Sequence, residues 1–318
     1  MVETSPELSV VVPFFNETGN IAPLFQRLLP VLDSLGVTAE IICIDDGSKD
    51  DTHERLIAAR KQAPMVRVVK LSRNFGKEAA ITSGLDIARG KAVLIMDGDL
   101  QHPPEVLIPM MEALNRGIDV VYGLRKSRKT DGAVRGPLSN MFYRIFAQTS
   151  EVAIPAGAGD FRLLSRRAVD ALKSLPEQNR FMKGLYAWIG FSQQAIPYEV
   201  EQRRTGASKW SLGHLFAYAW HGIVSFSTVP LRVWSFFGGF TAVLALIYAV
   251  WIVAKTLVLG RDTPGYATLA TAIFFLGGLQ LLSIGILGEY IARIFAETKR
   301  RPIYIIEDIQ QGPPDADA

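Results

Sequence analysis

Blocks of apolar and polar positions alternate regularly along the first part of the chain. Between residues 8 and 125, short apolar runs alternate with longer stretches in which apolar side chains recur at helical spacing. The strand-like runs are LSVVVP, EIICID, VRVVKL, AVLIMD and DVVYG. Continuous apolar strands joined by helices predict an α/β domain with a mostly parallel sheet that is covered by helices on both faces.

Polar loops follow four consecutive predicted strands, and their sequences are PFFNE, DDGSKDD, SRNFGKE and DGDLQHPP. In open parallel sheets, ligands bind beyond the carboxyl ends of the strands. Because all four loops leave that edge of the sheet, we expect them to converge on one crevice. The pattern therefore predicts a ligand site that is rich in carboxylates.

Charged side chains become rare toward the C-terminus. Residues 211–230 hold no Asp, Glu, Lys or Arg but several aromatic residues, which predicts an amphipathic helix in the membrane interface. Residues 235–254 and 267–287 are also uncharged, and each run is long enough to cross a bilayer. Basic residues precede the first run and follow the second, so the positive-inside rule places both termini in the cytosol.

We therefore predict four segments: a cytosolic catalytic domain (1–210), an interfacial amphipathic helix (211–230), a two-helix transmembrane hairpin (231–296) and a cytosolic basic tail (297–318). The length of both uncharged runs disfavours the alternative, buried core helices of a soluble protein. The N-terminus lacks the basic and apolar regions of a signal peptide, so we expect the domain to stay in the cytosol. The tail segment RPIYIIED is compatible with a strand that docks on this domain or on a neighbouring copy.

Composition and missing motifs narrow the function classes. Hydrophobic residues make up 49% of the chain, which is high for a soluble enzyme, and the formal net charge of +3 gives no reason to expect nucleic acid as a partner. The single cysteine, Cys43, excludes a disulfide within the chain, and its apolar neighbours predict a core residue. No GxGxxG follows the first strand and no GxxxxGK[ST] occurs, which argues against a dinucleotide-binding fold and a P-loop ATPase.

Aspartates at two strand ends are the strongest candidates for chemistry. Asp97 and Asp99 lie two residues apart, so their side chains lean to the same side of an extended backbone. Their hard oxygen atoms suit Mg²⁺ or Mn²⁺ bridging to phosphates, although an isolated Asp-x-Asp is also typical of a turn. At the second strand end, Asp46 could cap the next helix while Asp45 faces the crevice. His102 has no assigned role, because histidine prefers softer metals.

Six ordered segments resemble family 2 glycosyltransferases with the GT-A fold, which is Rossmann-like and mostly parallel. The segments are VVVPFFNE, IDDGS, LSRNFGKEAAITSGLDIARG, MDGDLQHPPE, GAGDFRLLSRRA and RRTGASKWS. More narrowly, they are similar to the polyprenyl-phosphate branch, which contains dolichol-phosphate mannose synthase and bacterial undecaprenyl-phosphate glucosyltransferases. The resemblance covers essentially the whole chain, including both spans. It implies an inverting hexosyltransferase that uses Mg²⁺ or Mn²⁺, a nucleotide sugar donor and a polyprenyl phosphate acceptor.

The resemblance also implies roles for individual residues. The positions that match the donor nucleotide site are Pro13, Glu17, Asp45 and Asp46. The positions that match the metal and diphosphate site are Asp97, Asp99 and Gln101. Asp160 matches the position proposed as the catalytic base. The candidates for binding phosphate or acceptor are Arg203, Ser208 and Lys209, with Arg125, Arg128 and Arg135 as either ligands or surface charges. Where the family often has Ala between the two carboxylates, this chain has Gly98, which we expect to loosen the backbone.

The chemistry of the acceptor leaves two roles open for Asp160. A lipid monophosphate has its second pKa at about 6, so near pH 7 it is already mostly a dianion and a competent nucleophile. Asp160 could therefore orient the acceptor or stabilise charge at the anomeric carbon instead of accepting a proton. The structural alternative is an N-cap or an ion-pair partner of Arg162, Arg166 or Arg167.

We predict an integral enzyme of the bacterial plasma membrane that makes a polyprenyl-phosphate-linked sugar for envelope glycan modification. UDP-glucose is the preferred donor because the two-span layout most resembles the bacterial glucosyltransferases; GDP-mannose and UDP-linked amino sugars stay open.

A processive polysaccharide synthase would carry QxxRW, and a sugar-1-phosphate nucleotidyltransferase would carry a Gly-rich, Arg-containing loop after its first strand; neither occurs. Acidic strand ends and uncharged spans argue against a scaffold or flippase subunit. Membrane lipids are expected partners, and a homo-oligomer stays open.

Overall fold

The structure is a computed structural model of the 318-residue chain. It describes residues 5–126, 155, 157–178, 180–199, 227, 229–259 and 265–310. The described strands are β1 (Leu8–Phe14), β2 (Ala39–Asp45), β3 (Val66–Leu71), β4 (Ala92–Ile95), β5 (Val120–Arg125), β6 (Ala158–Ser165), β7 (Gln193–Tyr198) and β8 (Ile306–Gln310). The described α-helices are α1 (Ile21–Leu35), α2 (Thr52–Gln62), α3 (Lys77–Ile87), α4 (Leu107–Asn115), α5 (Arg166–Ser174), α6 (Met182–Trp188), α7 (Val229–Leu259) and α8 (Tyr266–Lys299).

These strands form one sheet in the order β7-β5-β6-β4-β1-β2-β3-β8. The pairs β1–β2, β1–β4, β2–β3 and β5–β7 are parallel, whereas β6 runs antiparallel to both β4 and β5. The prediction of a mostly parallel α/β sheet is therefore confirmed. The five strands predicted from the apolar runs are its β1 to β5.

Helices cover both faces of this sheet, because each central strand is apolar on both sides. Val10 and Val12 of β1 pack in the layer that contains Leu24 and Leu28 of α1, whereas Val11 packs in the opposite layer. All of these side chains are fully buried, and burying one side chain of this size stabilises a fold by roughly 1.5–3 kcal/mol. The two apolar layers thus fix the strands whose polar ends form the crevice.

The antiparallel strand β6 brings a distant segment beside the fourth strand. Ile95 of β4 pairs with Arg162 of β6, and Leu94 pairs with Leu163. Continuing this register by two residues places Asp97 opposite Asp160. Pairing between strands thus joins two carboxylates that lie far apart in the sequence.

Two long apolar helices follow the sheet domain in the sequence. The candidate membrane spans, Val233–Ile252 and Phe275–Lys299, have mean hydropathies of 1.9 and 1.5 and are not buried against the rest of the protein. Large apolar side chains such as Phe236 and Leu281 are more than two-thirds exposed along these helices, as in a surface that faces lipid. The predicted interfacial helix, residues 211–230, lies almost wholly outside the described residues.

After α8 the chain returns to the sheet. Strand β8 pairs antiparallel with β3 of the same chain, with Val69 opposite Ile309. An ion pair between Lys70 and Glu307 and a hydrogen bond from the Tyr304 hydroxyl to Asp86 accompany this pairing. Of the two alternatives left open for RPIYIIED, the structure has the strand on its own domain.

Candidate active site

The loops after β1 and β2 are fastened to one another by side-chain hydrogen bonds. Asn16 donates its backbone N–H to Ser48 Oγ (3.0 Å), and its side-chain Oδ1 accepts from the Lys49 N–H (2.9 Å). Asn16 itself has φ +53°, in the left-handed region that asparagine tolerates better than most residues. The first two loops of the predicted crevice therefore form one fixed wall.

Asp45 and Asp46 at the end of β2 are both buried but hold different loops. Asp45 Oδ1 accepts from the Ser48 N–H (2.9 Å), whereas its Oδ2 is buried and accepts no hydrogen bond from a described residue. Asp46 accepts from the backbone N–H groups of Phe75 and Gly76, at 2.7 and 2.9 Å. Asp46 therefore anchors the entry to α3, and the cap on α2 that the sequence allowed is not formed. The pKa of Asp46 is raised, chiefly by burial.

Pro13 and Glu17 frame the same wall. Pro13 lies in β1 opposite Ile44 of β2, and it is only partly buried. Glu17 donates its backbone N–H to Thr52 Oγ1 (3.0 Å), and its carboxylate accepts from the Asn20 side chain. The four residues that were assigned to the nucleotide thus lie at the adjacent carboxyl ends of β1 and β2 or in the loops that follow them.

The loop after β4 holds Asp97, Asp99 and Gln101 in a tight turn. Asp99 Oδ1 accepts from the Gln101 N–H (3.1 Å), and Leu100 between them has φ +64°. A left-handed leucine costs of order 1–2 kcal/mol, so the surrounding packing must stabilise this turn. The Asp97 side chain is about one-quarter exposed (26%), whereas Asp99 is buried.

His102, which the sequence left unassigned, supports this loop from behind. Its Nδ1 accepts from the Asp97 N–H (3.2 Å), and its ring stacks on Phe161 with centroids 4.8 Å apart. Burial lowers the pKa of His102, which keeps the imidazole neutral and Nδ1 available as an acceptor. His102 therefore orients the backbone that carries the first aspartate.

Gly98 lies against the ring of Phe14 at the end of β1. A Cβ atom at position 98 would stand 2.6 Å from Phe14 Cε1. The expectation that glycine loosens the backbone here misses this contact, because the Phe14 ring occupies the space that an alanine methyl would need.

Asp160 on β6 completes the crevice through Lys77. The Lys77 ammonium lies 2.7 Å from Asp97 Oδ1 and 2.7 Å from Asp160 Oδ2. Asp160 Oδ1 is buried and accepts no hydrogen bond from a described residue. Of the structural alternatives for Asp160, Ser165 caps α5, Arg166 pairs with Asp170, and Arg167 pairs with Asp119. The Arg162 alternative stays open, because its guanidinium is among the charges that act on Asp160.

The charges of this cluster stabilise one another. Burial alone would raise the pKa of Asp160 and of Asp97, but nearby charges, of which the Lys77 ammonium is the largest, outweigh it and hold both below their usual range. Burial likewise opposes the charged form of Lys77, and the two carboxylates outweigh it, so the pKa of Lys77 is raised. Asp97, Asp160 and Lys77 are therefore all ionised at neutral pH.

The predicted basic residues fall mostly outside the described part of the chain. Arg125 ends β5 and is exposed beside Tyr198, whose raised pKa reflects burial that the Arg125 charge partly offsets. The predicted residues that lie outside the described part of the chain are Arg128, Arg135, Arg203, Ser208 and Lys209.

The carboxylates after β4 fit a divalent cation that is shared with a phosphate ligand. In the part of the chain that the structure describes, no three His, Cys, Asp or Glu side chains gather to hold a metal by themselves. Mg²⁺ is usually bound through one or two carboxylates plus substrate phosphates, with water filling the remaining positions. Asp97 and Asp99, with Gln101 beside them, provide a donor set of this kind.

Sequence patterns missed Lys77 and His102, and only the lysine left a signal. Lys77 is the first residue of α3, where a positive charge opposes the helix dipole. A lysine at that position, within a polar loop at a strand end, indicates that nearby carboxylates stabilise it. His102 left no such signal, because its contacts include a backbone amide and aromatic rings from β6 and β7.

Family models match both parts of the chain. The model described as Glycosyl transferase family 2 matches residues 9–173, more than half of the chain, and the model described as GtrB C-terminal hairpin matches residues 229–294. The first match contains every described residue of the crevice, from Pro13 to Asp160. The second contains most of α7 and α8.

Individual relatives match over nearly the full length. The glycosyltransferase sll0501 of Synechocystis sp. is 46% identical, covering 95% of this chain and 95% of the relative. The SfII prophage-derived bactoprenol glucosyl transferase of Shigella flexneri is 42% identical, covering 97% and 100%. Among solved structures, the glucosyl-3-phosphoglycerate synthase of Mycobacterium tuberculosis is 23% identical with a TM-score of 0.47, covering 67% of this chain and 77% of that one.

Proposed function

Because the chain belongs to glycosyl transferase family 2, we propose that it transfers glucose from UDP-glucose to a polyprenyl phosphate. The observation that carries this proposal is the likeness to a bactoprenol glucosyl transferase, which extends through the catalytic domain and the two-helix hairpin. The two candidate spans indicate association with a membrane, where a polyprenyl chain resides. We place the catalytic domain and both termini on the cytosolic side of a bacterial plasma membrane.

The nucleotide would lie against the wall formed by the loops after β1 and β2. Asp45 Oδ2 is buried, lies 3.5 Å from His53 Nδ1 and accepts no hydrogen bond from a described residue, and the N3–H of a uracil ring is a donor that would satisfy it. Pro13 lies near the end of the adjacent strand β1, and Glu17 lies in the loop that follows it. Asp46 supports this site indirectly, because both of its oxygens hold the loop before α3.

The diphosphate would lie beside Asp97, Asp99 and Gln101. A divalent cation held there, Mg²⁺ or Mn²⁺, would neutralise charge on the departing UDP. An oxygen of the acceptor phosphate forms the new bond to the anomeric carbon while the bond from that carbon to UDP breaks. The bonding electron pair leaves with UDP, and attack from the opposite face inverts the configuration.

Asp160 would act on the acceptor side without taking a proton. The acceptor phosphate is already mostly a dianion near pH 7, and Asp160 itself stays ionised beside Lys77. Its unpaired Oδ1 points to a role in orienting the sugar or stabilising positive charge that develops at the anomeric carbon. The basic residues assigned to the acceptor phosphate would bind it on the same side of the site as Asp160.

A transfer assay with the full-length protein tests the proposal. Purified protein is incubated with polyprenyl phosphate, Mg²⁺ and one radiolabelled donor at a time: UDP-glucose, GDP-mannose or a UDP-linked amino sugar. We expect label in the lipid extract with UDP-glucose, and none when polyprenyl phosphate is omitted or EDTA is added. No lipid-extractable label with any donor would refute the proposed activity, and label only with another donor would refute the choice of glucose.

A further inference from the structure

Lys77 joins the two halves of the proposed active site. Its ammonium is 2.7 Å from one oxygen of Asp97, on the donor side, and 2.7 Å from one oxygen of Asp160, on the acceptor side. Each carboxylate thus uses one oxygen for Lys77. Asp97 Oδ2 lies 3.9 Å from His102 Nδ1, and Asp160 Oδ1 accepts no hydrogen bond from a described residue.

Strand pairing brings the carboxylates of Asp97 and Asp160 close together, and the Lys77 ammonium lies between them. Continued two residues beyond its last pair, Ile95 with Arg162, the register between β4 and β6 brings Asp97 and Asp160 to opposed positions. Like charges at opposed positions of neighbouring strands destabilise the pair, and partial burial strengthens their repulsion. The Lys77 ammonium between them converts this repulsion into two short ion pairs.

The main chain around Lys77 is fixed on both sides. The N–H groups of Phe75 and Gly76, directly before it, donate to Asp46. Directly after it, Glu78 Oε2 accepts from the Met182 N–H (3.2 Å) at the start of α6. The lysine is therefore carried by a segment tied to β2 on one side and to α6 on the other, as a rigid support requires.

We propose that Lys77 is a positioning residue, whose ammonium sets the distance between the donor-side carboxylate Asp97 and the acceptor-side carboxylate Asp160. This inference rests on the proposed function, because it takes the roles of the two aspartates from there. Lys77 acts through these carboxylates, so it is required for the geometry of transfer and not for binding the metal.

Replacing Lys77 by methionine should change two measurable quantities in opposite directions. Loss of the competing cation leaves more negative charge at Asp97, so Mn²⁺ should bind more tightly, by about fivefold or more. Loss of the fixed separation should lower kcat by about 100-fold, since a displacement of about 1 Å at a reacting centre has an effect of that size. A purely structural lysine would weaken metal binding and activity together.

The experiment compares Lys77→Met and Lys77→Arg with the wild-type full-length protein. Mn²⁺ binding is measured by electron paramagnetic resonance of the free ion without donor or acceptor, and kcat and KM for UDP-glucose are measured separately. Lys61→Met is the matched control, because Lys61 is an exposed lysine near the end of α2, at the opposite edge of the sheet. Lys77→Arg should recover kcat to within about tenfold of wild type, since a guanidinium can bridge two carboxylates.

The measured Mn²⁺ affinity and kcat decide whether Lys77 is a positioning residue. Tighter Mn²⁺ binding with lower kcat in Lys77→Met, reversed in Lys77→Arg, supports the inference. A kcat within threefold of wild type, or weaker Mn²⁺ binding, overturns it. If Lys77→Met fails to fold, the same criteria apply to Lys77→Gln, which keeps a hydrogen-bond donor without the charge.

The Mn²⁺ measurement distinguishes this inference from the proposed function. A wild-type protein that transfers no sugar would refute the proposed function, whereas the direction of the change in metal affinity would still test the placement of Lys77 against Asp97. An active wild-type protein with an unaltered Lys77→Met variant would overturn the inference alone.

Discussion

Asp160 and Asp97 are neighbours in space, yet the proposed reaction gives them separate tasks. Both are ionised, and Lys77 neutralises only part of their combined charge. Substituting Asp97 should therefore affect donor binding more than substituting Asp160 does, so the two roles can be separated by experiment.

Asp160→Asn should abolish transfer while leaving donor binding intact. Asparagine keeps the size of the side chain but removes the charge that we place beside the anomeric carbon, so we expect kcat to fall at least about 100-fold. UDP binding by calorimetry should stay within about threefold of wild type. Loss of UDP binding would show that Asp160 belongs to the donor site, and Asp97→Asn is the comparison expected to lose it.

Gly98 and Phe14 are a second case at the scale of single residues, because the Phe14 ring fills the space beside the glycine. Gly98→Ala should destabilise the protein by about 1–3 kcal/mol, because its methyl group would overlap the Phe14 ring. Chemical unfolding of the purified protein measures the loss. Phe14→Leu in the same chain should recover part of it, so the two substitutions should be non-additive. Gly159→Ala is the control, since the nearest atom to its Cβ is 4.0 Å away.

Asp119 connects three elements at the edge of the sheet opposite the crevice. It accepts from Ser165 Oγ (2.9 Å) and Ser192 Oγ (3.0 Å), and it pairs with Arg167 at the start of α5. The Arg167 hydrogen bond is the main reason that the pKa of Asp119 is lowered to about 2. A buried carboxylate with several donors holds the ends of β5, β6 and β7 together.

Asp119→Asn should cost stability in a pH-dependent way. Because the folded pKa of Asp119 lies below its usual value, the contribution is complete above about pH 4 and disappears as the pH falls toward 2. We expect the variant to unfold about 1–3 kcal/mol more easily at pH 7, and the difference to close between about pH 4 and pH 2. A constant difference across that range would contradict this assignment.

Sequence patterns predicted β1 to β5 and the four loops that form the crevice, because local periodicity is enough to mark buried strands. They could not predict that Asp160 lies opposite Asp97, since the pairing of β4 with β6 depends on register between segments about 65 residues apart. The same limit explains why the contacts of Asp46 were not predicted, because its partners, Phe75 and Gly76, come from the loop after the next strand. Local sequence identifies which residues are polar, and long-range pairing decides what they contact.

At the scale of the whole molecule, the sheet domain and the hairpin are connected by a hydrogen-bonded contact and a paired strand as well as by the continuous backbone. Both carboxylate oxygens of Glu297, near the end of α8, accept from the Gln178 N–H at 3.0 Å. This contact and the β8 strand attach the end of the hairpin to the catalytic domain. An enzyme that takes one substrate from water and the other from a bilayer requires such a fixed attachment.

The single, buried Cys43 makes the proposed topology measurable by labelling. Burial raises the pKa of the Cys43 thiol, so it should not react with a maleimide in the folded protein. Gly265→Cys, between the two helices, should be labelled by an impermeant maleimide in intact cells. Ile305→Cys, which is exposed beside β8, should be labelled only after the membrane is opened. The reverse pattern would overturn the orientation, and the wild-type protein is the unlabelled control.

Strand β8 follows both long helices in the chain, yet it pairs with β3, which precedes them. During synthesis, β3 is therefore an open sheet edge until both hairpin helices have been produced, and open edges invite pairing with other chains. Synthesis of the hairpin must come before β8 can pair with β3. The strand order therefore sets an order of synthesis, in which both hairpin helices are made before β8 can cover the β3 edge.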